Sequence, residues 1–364
     1  MTTSDDVVVH PQALEQAVQA LFRQAGSGEQ EAALVAAQLV GANLAGHDSH
    51  GVGMVPRYVE VLLAGELQLN ARPRSVLQSG AITVLDAGLG LGQVAGHEAM
   101  LLAIAAARQH GLSLTGLRNS HHLGRIGHWA EQCADAGLIS LHFVNVISQP
   151  MVAPFGGRDA RLVTNPIAIA VPRQGAASLV LDFATSRLAV GKVRVALNTG
   201  KQLPAGVLLD AAGQPSNDPA ALFGSPGGAL LPFGEHKGSG LALMCEILGA
   251  ALIGGPVMQA VPKSRQIINN MLTIAIDPTF FDRHGALDDA ITRLIDWVRA
   301  SPPSNDATDG QVLVAGQPEI AARAARAQGV AIDAQTWQEL EHAAAGVGMA
   351  PGQWRSLAGL AALS

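Results

Sequence analysis

Cysteine, aromatic residues and charge are all scarce in this chain of 364 residues: it has two cysteines, 4% aromatics with a single tyrosine, and 14% charged side chains. Cys133 and Cys245 lie far apart, which excludes a disulfide scaffold and a cysteine-spaced zinc site, and they read as reduced thiols of a cytoplasmic protein. There is no basic run and the formal net charge is −6, so nucleic acid and a polybasic membrane anchor are excluded as partners. No apolar run reaches the roughly 20 residues of a membrane span. The longest, Leu241 to Ile253, is interrupted by Glu246. The opening Thr2, Thr3, Ser4, Asp5 and Asp6 has no basic-then-apolar signal, which again predicts a cytoplasmic location. A small-molecule ligand is the expected partner.

What the chain has in abundance is aliphatic surface, with 48% hydrophobic residues, mostly Ala, Leu, Val and Ile. That composition predicts a packed, helix-rich globular protein. Helical spacing predicts helices over Pro11–Gln24, over Glu29–Leu44 behind a Ser27/Gln30 capping-box pattern, and over Pro56–Ala64. Strands and helices then alternate: strand Ile82–Asp86, helix Gln93–His110, strand Leu112–Leu117, helix Ile126–Ala136, strand Leu138–Val146. Further strands are expected at Ile167–Val171, Leu179–Asp182 and Met271–Asp277, an exposed hairpin at Gly206–Gly213, and an apolar helix at Gly238–Ile253. Helices near Ala286–Ala300, Glu319–Gln328, Ala334–Ala345 and Pro351–Leu360 close the chain, with Ser301–Gly310 a loop. The fold class is α/β: an N-terminal helical part over 1–75, a large α/β part over 76–310, and a C-terminal helical part over 311–364 packing back on the first.

Gly88, Gly90 and Gly92 follow a strand and precede a helix, the setting of a dinucleotide fingerprint. Their spacing is wrong for it, and Arg118 and Asn119 stand where an acidic ribose ligand belongs. A tight turn packing helix on strand is the better reading. The histidines carry more information. His47 and His50 bracket Asp48 and Ser49, His121 and His122 end a predicted strand, and His236 precedes Lys237 at a helix start. Histidine titrates near neutral pH and can exchange a proton with a reacting oxygen. A metal site is disfavoured, since there is no H-E-x-x-H and no cysteine pair. Tyr58 lies about two helical turns after His50, where it can either assist proton transfer or simply pack.

The runs Asp48-Ser49-His50-Gly51, Asn119-Ser120-His121-His122-Leu123-Gly124, Thr164-Asn165-Pro166, Asp182-Phe183-Ala184-Thr185-Ser186, Gly191-Lys192 and His236-Lys237-Gly238 resemble, in order and spacing, the type-2 malate/L-lactate dehydrogenase family. The resemblance implies a non-Rossmann fold, with a helical part beside a large mixed-sheet NAD(P)-binding domain, usually in a homodimer. It implies reversible, NADH- or NADPH-dependent reduction of a 2-oxo acid to a 2-hydroxy acid, covering 2-oxoglutarate, phenylpyruvate-like and malate/lactate-like substrates. It further implies that His122 is the catalytic proton donor and acceptor, assisted by Ser49, His50 and Tyr58. The cofactor contacts it implies are His50, Gly124, Arg125 and Ile126, then Asp182, Phe183, Ala184 and Thr185, then His236, Lys237 and Asn269. Gly316, Gln317, Pro318 and Glu319 complete that set. No metal is implied.

Many members of the family carry arginine four residues after the histidine of the Ser-His-Gly motif, where this chain has Met54. A 2-oxo acid needs a cation for its carboxylate. Arg57 and Arg125 are the candidates, and the exchange favours larger or aromatic substrates over malate. Rival readings are a cyclic imino-acid reductase or ureidoglycolate dehydrogenase on the same scaffold, a catalytically silent binding protein and, more remotely, a metal-dependent hydrolase.

Overall fold

The computed structural model describes residues 6–360 except 199, 260–264, 283, 306, 308 and 309. Its centre is a seven-stranded sheet in the order β2-β3-β4-β11-β5-β6-β7. These strands are β2 (Arg74–Ser79), β3 (Ile82–Asp86), β4 (Leu112–His121), β5 (Ile139–Ile147), β6 (Ile167–Val171), β7 (Leu179–Phe183) and β11 (Ile268–Ile276). Only β3 and β4 run parallel, joined by the crossover helix α4 (Gly92–His110), and every other pairing is antiparallel. The expected mixed α/β sheet is therefore present.

Helix α4 ends at Gly111, whose φ of +84° puts it in the left-handed conformation that closes a helix. On one face of the sheet, α4 and α5 (Gly127–Asp135) bury Ala99, Met100, Trp129 and Cys133 against Leu117, Val144 and Met271. Against β5 and β11 packs α7 (His236–Gly249). There Gly249 is forced by close approach, because a Cβ would come within 2.7 Å of the Phe143 carbonyl.

A second core lies between α1 (Pro11–Gln24), α2 (Glu29–Leu44), α3 (Val55–Leu63), α10 (Ala334–Gly346) and α11 (Gln353–Leu357). Leu14, Leu21, Phe22, Leu39, Trp337 and Leu340 fill it. Each such fully buried large apolar side chain contributes roughly 1.5–3 kcal/mol. A two-stranded pair, β1 (Val7–Val9) with β12 (Val330–Ile332), joins residues before α1 to residues before α10. Three short strands, β8 (Leu208–Leu209), β9 (Pro215–Ser216) and β10 (Ala229–Leu230), form a small sheet. Helices α6 (Val190–Asn198), α8 (Leu287–Arg299) and α9 (Gln317–Arg326) complete the chain.

Some local expectations are corrected. Ser27 forms no capping box: its Oγ donates to Glu31 Oε1 at 2.7 Å, and Gly28 precedes the helix instead. Glu31 also accepts from the Asn70 backbone, so this buried carboxylate draws the hydroxyl away from the helix end. The hairpin turns at 210–213 rather than spanning 206–213, and Leu208 is fully buried against a small core that includes Val152 and Val193. The last helix is shorter than expected because Gly352 and Gly359, both at left-handed φ, bracket it.

Candidate active site

Four expected residues meet where α3, the turn before it and the end of β4 converge. The Tyr58 hydroxyl lies 2.7 Å from His122 Nδ1. Ser49 Oγ lies 3.0 Å from His50 Nδ1, and the His50 and His122 rings stack with centroids 5.6 Å apart. The Gln93 amide donates to the Tyr58 oxygen at 3.0 Å and holds that hydroxyl against His122. His122 Nε2 has no hydrogen-bond partner among the described residues.

Backbone packing fixes this cluster. A single-turn 3-10 segment, Asp48–His50, is clamped by Arg326, which donates to both oxygens of Asp48 at 2.7 and 3.0 Å. A Cβ on Gly51 would sit 2.2 Å from Asn43 Oδ1, and one on Gly191 would sit 2.3 Å from Ser49 Cβ. The glycine run before α4 serves the same purpose. A Cβ on Gly92 would lie 2.1 Å from the His122 carbonyl, while the Gly90 carbonyl accepts from His121 N at 3.0 Å. The turn thus packs a helix end onto the strand carrying the histidines. Arg118 and Asn119 both bond Asp86 instead of facing a ligand.

Burial dominates the electrostatics. His122 lies well below the ordinary histidine value, through desolvation first, then the neighbouring His50, His121 and Arg57. His50 is pushed down to about 4, by burial and then by His47 and Arg125. Burial raises the Tyr58 hydroxyl, which keeps it a neutral phenol.

The two candidate cations differ in what they already hold. Arg125 is buried, with an ion pair to Glu131 and Nη1 3.8 Å from Asp182. Arg323 bonds Glu131 as well, at 2.8 Å, so Arg125 sits in a compensated network. Arg57 is anchored through Nε, which donates to the Arg265 carbonyl at 2.6 Å, and among the described residues no carboxylate lies within ion-pair distance of it. It faces His121 and His122 closely enough to lower both.

The residues expected around a cofactor form an arc beside this cluster. Gly124, at φ +71°, and Ile126 lie between His122 and α5, and Asn269 holds this loop from behind by accepting from Leu123 N at 2.9 Å. Asp182 Oδ2 accepts from Gly127 N at 2.8 Å. Burial raises the Asp182 carboxyl despite nearby Arg125. Phe183 packs edge-to-face on Phe233, and the Thr185 carbonyl lies 3.0 Å from where a Gly238 Cβ would stand. Ala184 lies between them in sequence. His236 and Lys237 are exposed at the N-terminus of α7, behind Glu235 at φ +60°. Gly316 at φ +88° opens α9 with Gln317 and Pro318, and Glu319 bonds His47 at 3.1 Å. Here Arg173, Leu179, Arg299, Val314, Gln317 and Ile320 line a cavity of about 320 Å³.

These residues fit a nicotinamide dinucleotide. Lys237 stands exposed at the start of α7 as a cation for a phosphate, a cavity beside α9 is lined by apolar side chains together with Arg173 and Arg299, and buried Arg125 Nη1 makes no hydrogen bond among the described residues. Sequence reasoning missed Gln93, His47 as the partner of Glu319, and Arg323. None has a spacing signal, since each partner comes from a distant element.

A buried histidine–tyrosine pair on a mixed sheet is the kind of proton-exchanging site that a dehydrogenase acting on a CH–OH group requires. Residues 9–341 match the malate/L-lactate dehydrogenase family, and the chain belongs to it. It is 49% identical to hydroxycarboxylate dehydrogenase B of Escherichia coli K12, over 93% of this chain and 94% of that protein. It is 41% identical to a Pseudomonas putida Delta(1)-pyrroline-2-carboxylate/Delta(1)-piperideine-2-carboxylate reductase over 70% and 73% of the two chains. A solved E. coli structure with a provisional malate/lactate dehydrogenase assignment superposes with a TM-score of 0.93 at 46% identity, covering 96% of this chain and 98% of that one. The chain is an oxidoreductase that interconverts 2-oxo and 2-hydroxy acids, and the dehydrogenase family implies a nicotinamide cofactor. That overturns the metal-dependent hydrolase reading; among the described residues no group of three or more His, Cys, Asp or Glu is disposed to hold a metal. No helix among them is long and apolar enough to cross a membrane.

Proposed function

We propose that His122 is the proton donor and acceptor of this reaction, and that the acids reduced include 2-oxoglutarate and phenylpyruvate-like substrates. The observation that carries this reading is the 2.7 Å contact between Tyr58 and His122 Nδ1, beside a guanidinium, Arg57, with no carboxylate at ion-pair distance among the described residues. Arg57 pairs with the substrate carboxylate, and Arg125 orders Asp182 and Glu131. A bound NADH or NADPH supplies the hydride for C2. His122, protonated on both nitrogens, donates its Nε2 hydrogen to the C2 oxygen and is left neutral with its Nδ1 hydrogen held by the Tyr58 oxygen. In the reverse direction Nε2 takes that proton back, while Gln93 holds Tyr58 and the Ser49–His50 pair covers the other face of the ring.

The cofactor is held by His50, by the 124–126 loop, by residues 182–185, by the start of α7 and by residues 316–319, with Asn269 supporting the loop. Exposed Leu243, Met244 and Ile247 on one side of α7 support a homodimer. Two buried free thiols, Cys133 and Cys245, support a cytoplasmic setting. Shared burial of Tyr58 with Trp337 and Trp354 supports treating 1–75 and 311–364 as two parts that pack together, outside a 76–310 unit.

The test is the loss of NADH or NADPH absorbance with oxaloacetate, pyruvate, 2-oxoglutarate and phenylpyruvate. Turnover of 2-oxoglutarate or phenylpyruvate, with one cofactor preferred, is the expected result. Turnover of oxaloacetate or pyruvate alone overturns the substrate assignment. The P. putida relative supports a second reading, reduction of a cyclic imine, which a panel containing cyclic 2-imino acids separates.

A further inference from the structure

His121 has no role in that scheme. It is 1% exposed, yet neither of its ring nitrogens has a hydrogen-bond partner among the described residues. Among the described residues of this sheet only the Thr115 hydroxyl shares that condition, and other buried polar groups on it are matched. His142 bonds Thr273 and Ser140, and Glu246 accepts from Asn145, Asn165 and Met258 N. An imidazole taken from water and left unmatched carries a desolvation cost that a bound partner relieves.

Its position narrows the partner. His121 ends β4, pairs with Ile268 of β11, and stands edge-on to Tyr58 with ring centroids 5.0 Å apart and planes at 84°. Tyr58 bonds His122 on the adjacent position, and Arg57 acts on both histidines. In a 2-oxo acid the carboxylate and the carbonyl oxygen sit on neighbouring carbons. Groups that hold the carboxylate must therefore stand immediately beside the proton donor, as position 121 does.

We propose that His121 is a substrate-binding residue, whose ring N–H and the terminal amino groups of Arg57 together grip the carboxylate of the 2-oxo acid. This rests on the proton-transfer role assigned to His122. Burial and Arg57 keep the ring uncharged, so it adds a directed donor without repelling the guanidinium. Its second nitrogen, a lone pair, accepts from a guanidinium N–H of Arg57 as both close on the same anion. The arrangement supplies two ligands of different kinds where Met54 stands in place of a second arginine.

Comparing a 2-oxo acid with its methyl ester tests this. In the wild type the acid is strongly preferred in kcat/KM. His121→Leu should lower kcat/KM for the acid roughly 10- to 100-fold, mainly through KM, as expected for losing a hydrogen bond to a charged group. The ester should change less than about threefold, so that the preference collapses. The inhibition constant of oxalate should rise in parallel, while NAD(P)H affinity, read by nicotinamide fluorescence, stays the same. His121→Gln and His121→Asn keep a donor near one ring nitrogen or the other; one of them should recover part of the preference, and they carry the same comparison if the leucine variant does not fold. An unchanged acid-to-ester ratio, or equal losses on both substrates through kcat, overturns the proposal. A wild type inactive on every 2-oxo acid would instead remove the substrate reading beneath it.

Discussion

The Tyr58 hydroxyl stands 2.7 Å from His122 Nδ1, joining α3 of the helical core to the residue that follows the end of β4. That contact holds Nδ1 of a buried imidazole and leaves Nε2 open for the reacting oxygen in the role proposed for it. His122→Asn keeps a polar side chain of similar bulk but cannot relay a proton. It should lower kcat by about 10² to 10⁴ in both directions, the usual contribution of general acid–base catalysis. Cofactor affinity, measured by fluorescence titration, should hold. A variant that retains wild-type turnover removes His122 from the chemistry.

Tyr58→Phe removes the hydroxyl while preserving the ring packed on Phe22 and His121. His122 then loses the partner of its Nδ1, and Gln93 loses the acceptor of its amide. The expected result is a kcat lower by about 10- to 100-fold, with a smaller loss in melting temperature from the two polar groups left unmatched. Equal losses in activity and stability would identify Tyr58 as packing alone.

The direction of the His122 shift sets the pH behaviour. Burial and the surrounding His50, His121 and Arg57 lower it well below 6.5, so the free enzyme holds a neutral ring through the neutral range. Oxidation of the hydroxy acid needs that neutral base. Its kcat/KM should therefore stay level from about pH 8 to pH 6.5 and fall only in more acid solution. Reduction of the oxo acid consumes the proton, and its rate should rise toward acid pH. An oxidation limb centred at or above the ordinary histidine value contradicts the burial argument.

Much of this was legible in the sequence where the physics is local. The strand Ile82–Asp86 and the helix behind it alternate and repeat as their burial requires. By contrast, β2 is exposed along its whole length and belongs to the sheet only through its neighbour β3. β1 and β12 are three-residue strands whose partner lies at the other end of the chain, which no window of sequence contains. In the site, Ser49, His50, Tyr58 and His122 stood out through their residue types and motifs. Gln93 did not, because its role depends on a Tyr58 oxygen 35 positions away. Arg57 and Arg125 were indistinguishable as sequence, and only their neighbours separate a guanidinium with no ion pair among the described residues from a compensated one.

Arg125 tests that distinction through stability. Arg125→Met leaves Asp182 and Glu131 without the cation between them, Asp182 in a buried position. Removing one partner of a buried charge pair costs roughly 3–5 kcal/mol. Chemical denaturation should register a loss of that order. Adding Asp182→Asn should restore part of it, since the stranded charge is gone. A loss below about 1 kcal/mol would mark the network as exposed and weakly coupled.

His142 makes the stability of the sheet depend on pH, and the sign follows from its burial. It lies between Thr273 and Ser140, bonded through both nitrogens at 3.0 Å, and desolvation pushes it down to about 3 from 6.5. Between those values the unfolded chain binds a proton that the folded protein refuses, so stability falls as pH drops through that window and is unaffected above it. The slope is about 1.4 kcal/mol per pH unit for one such histidine. His142→Asn removes the titration while keeping a donor and an acceptor for the two hydroxyls. The variant should be less stable than wild type at pH 7, and the gap should narrow by about 1.4 kcal/mol per unit below about pH 6. Other buried histidines, His50 among them, keep a residual slope in the variant. Parallel stability curves for the two proteins would mean that His142 is protonated in the folded sheet, with one hydroxyl turned to accept from each ring nitrogen.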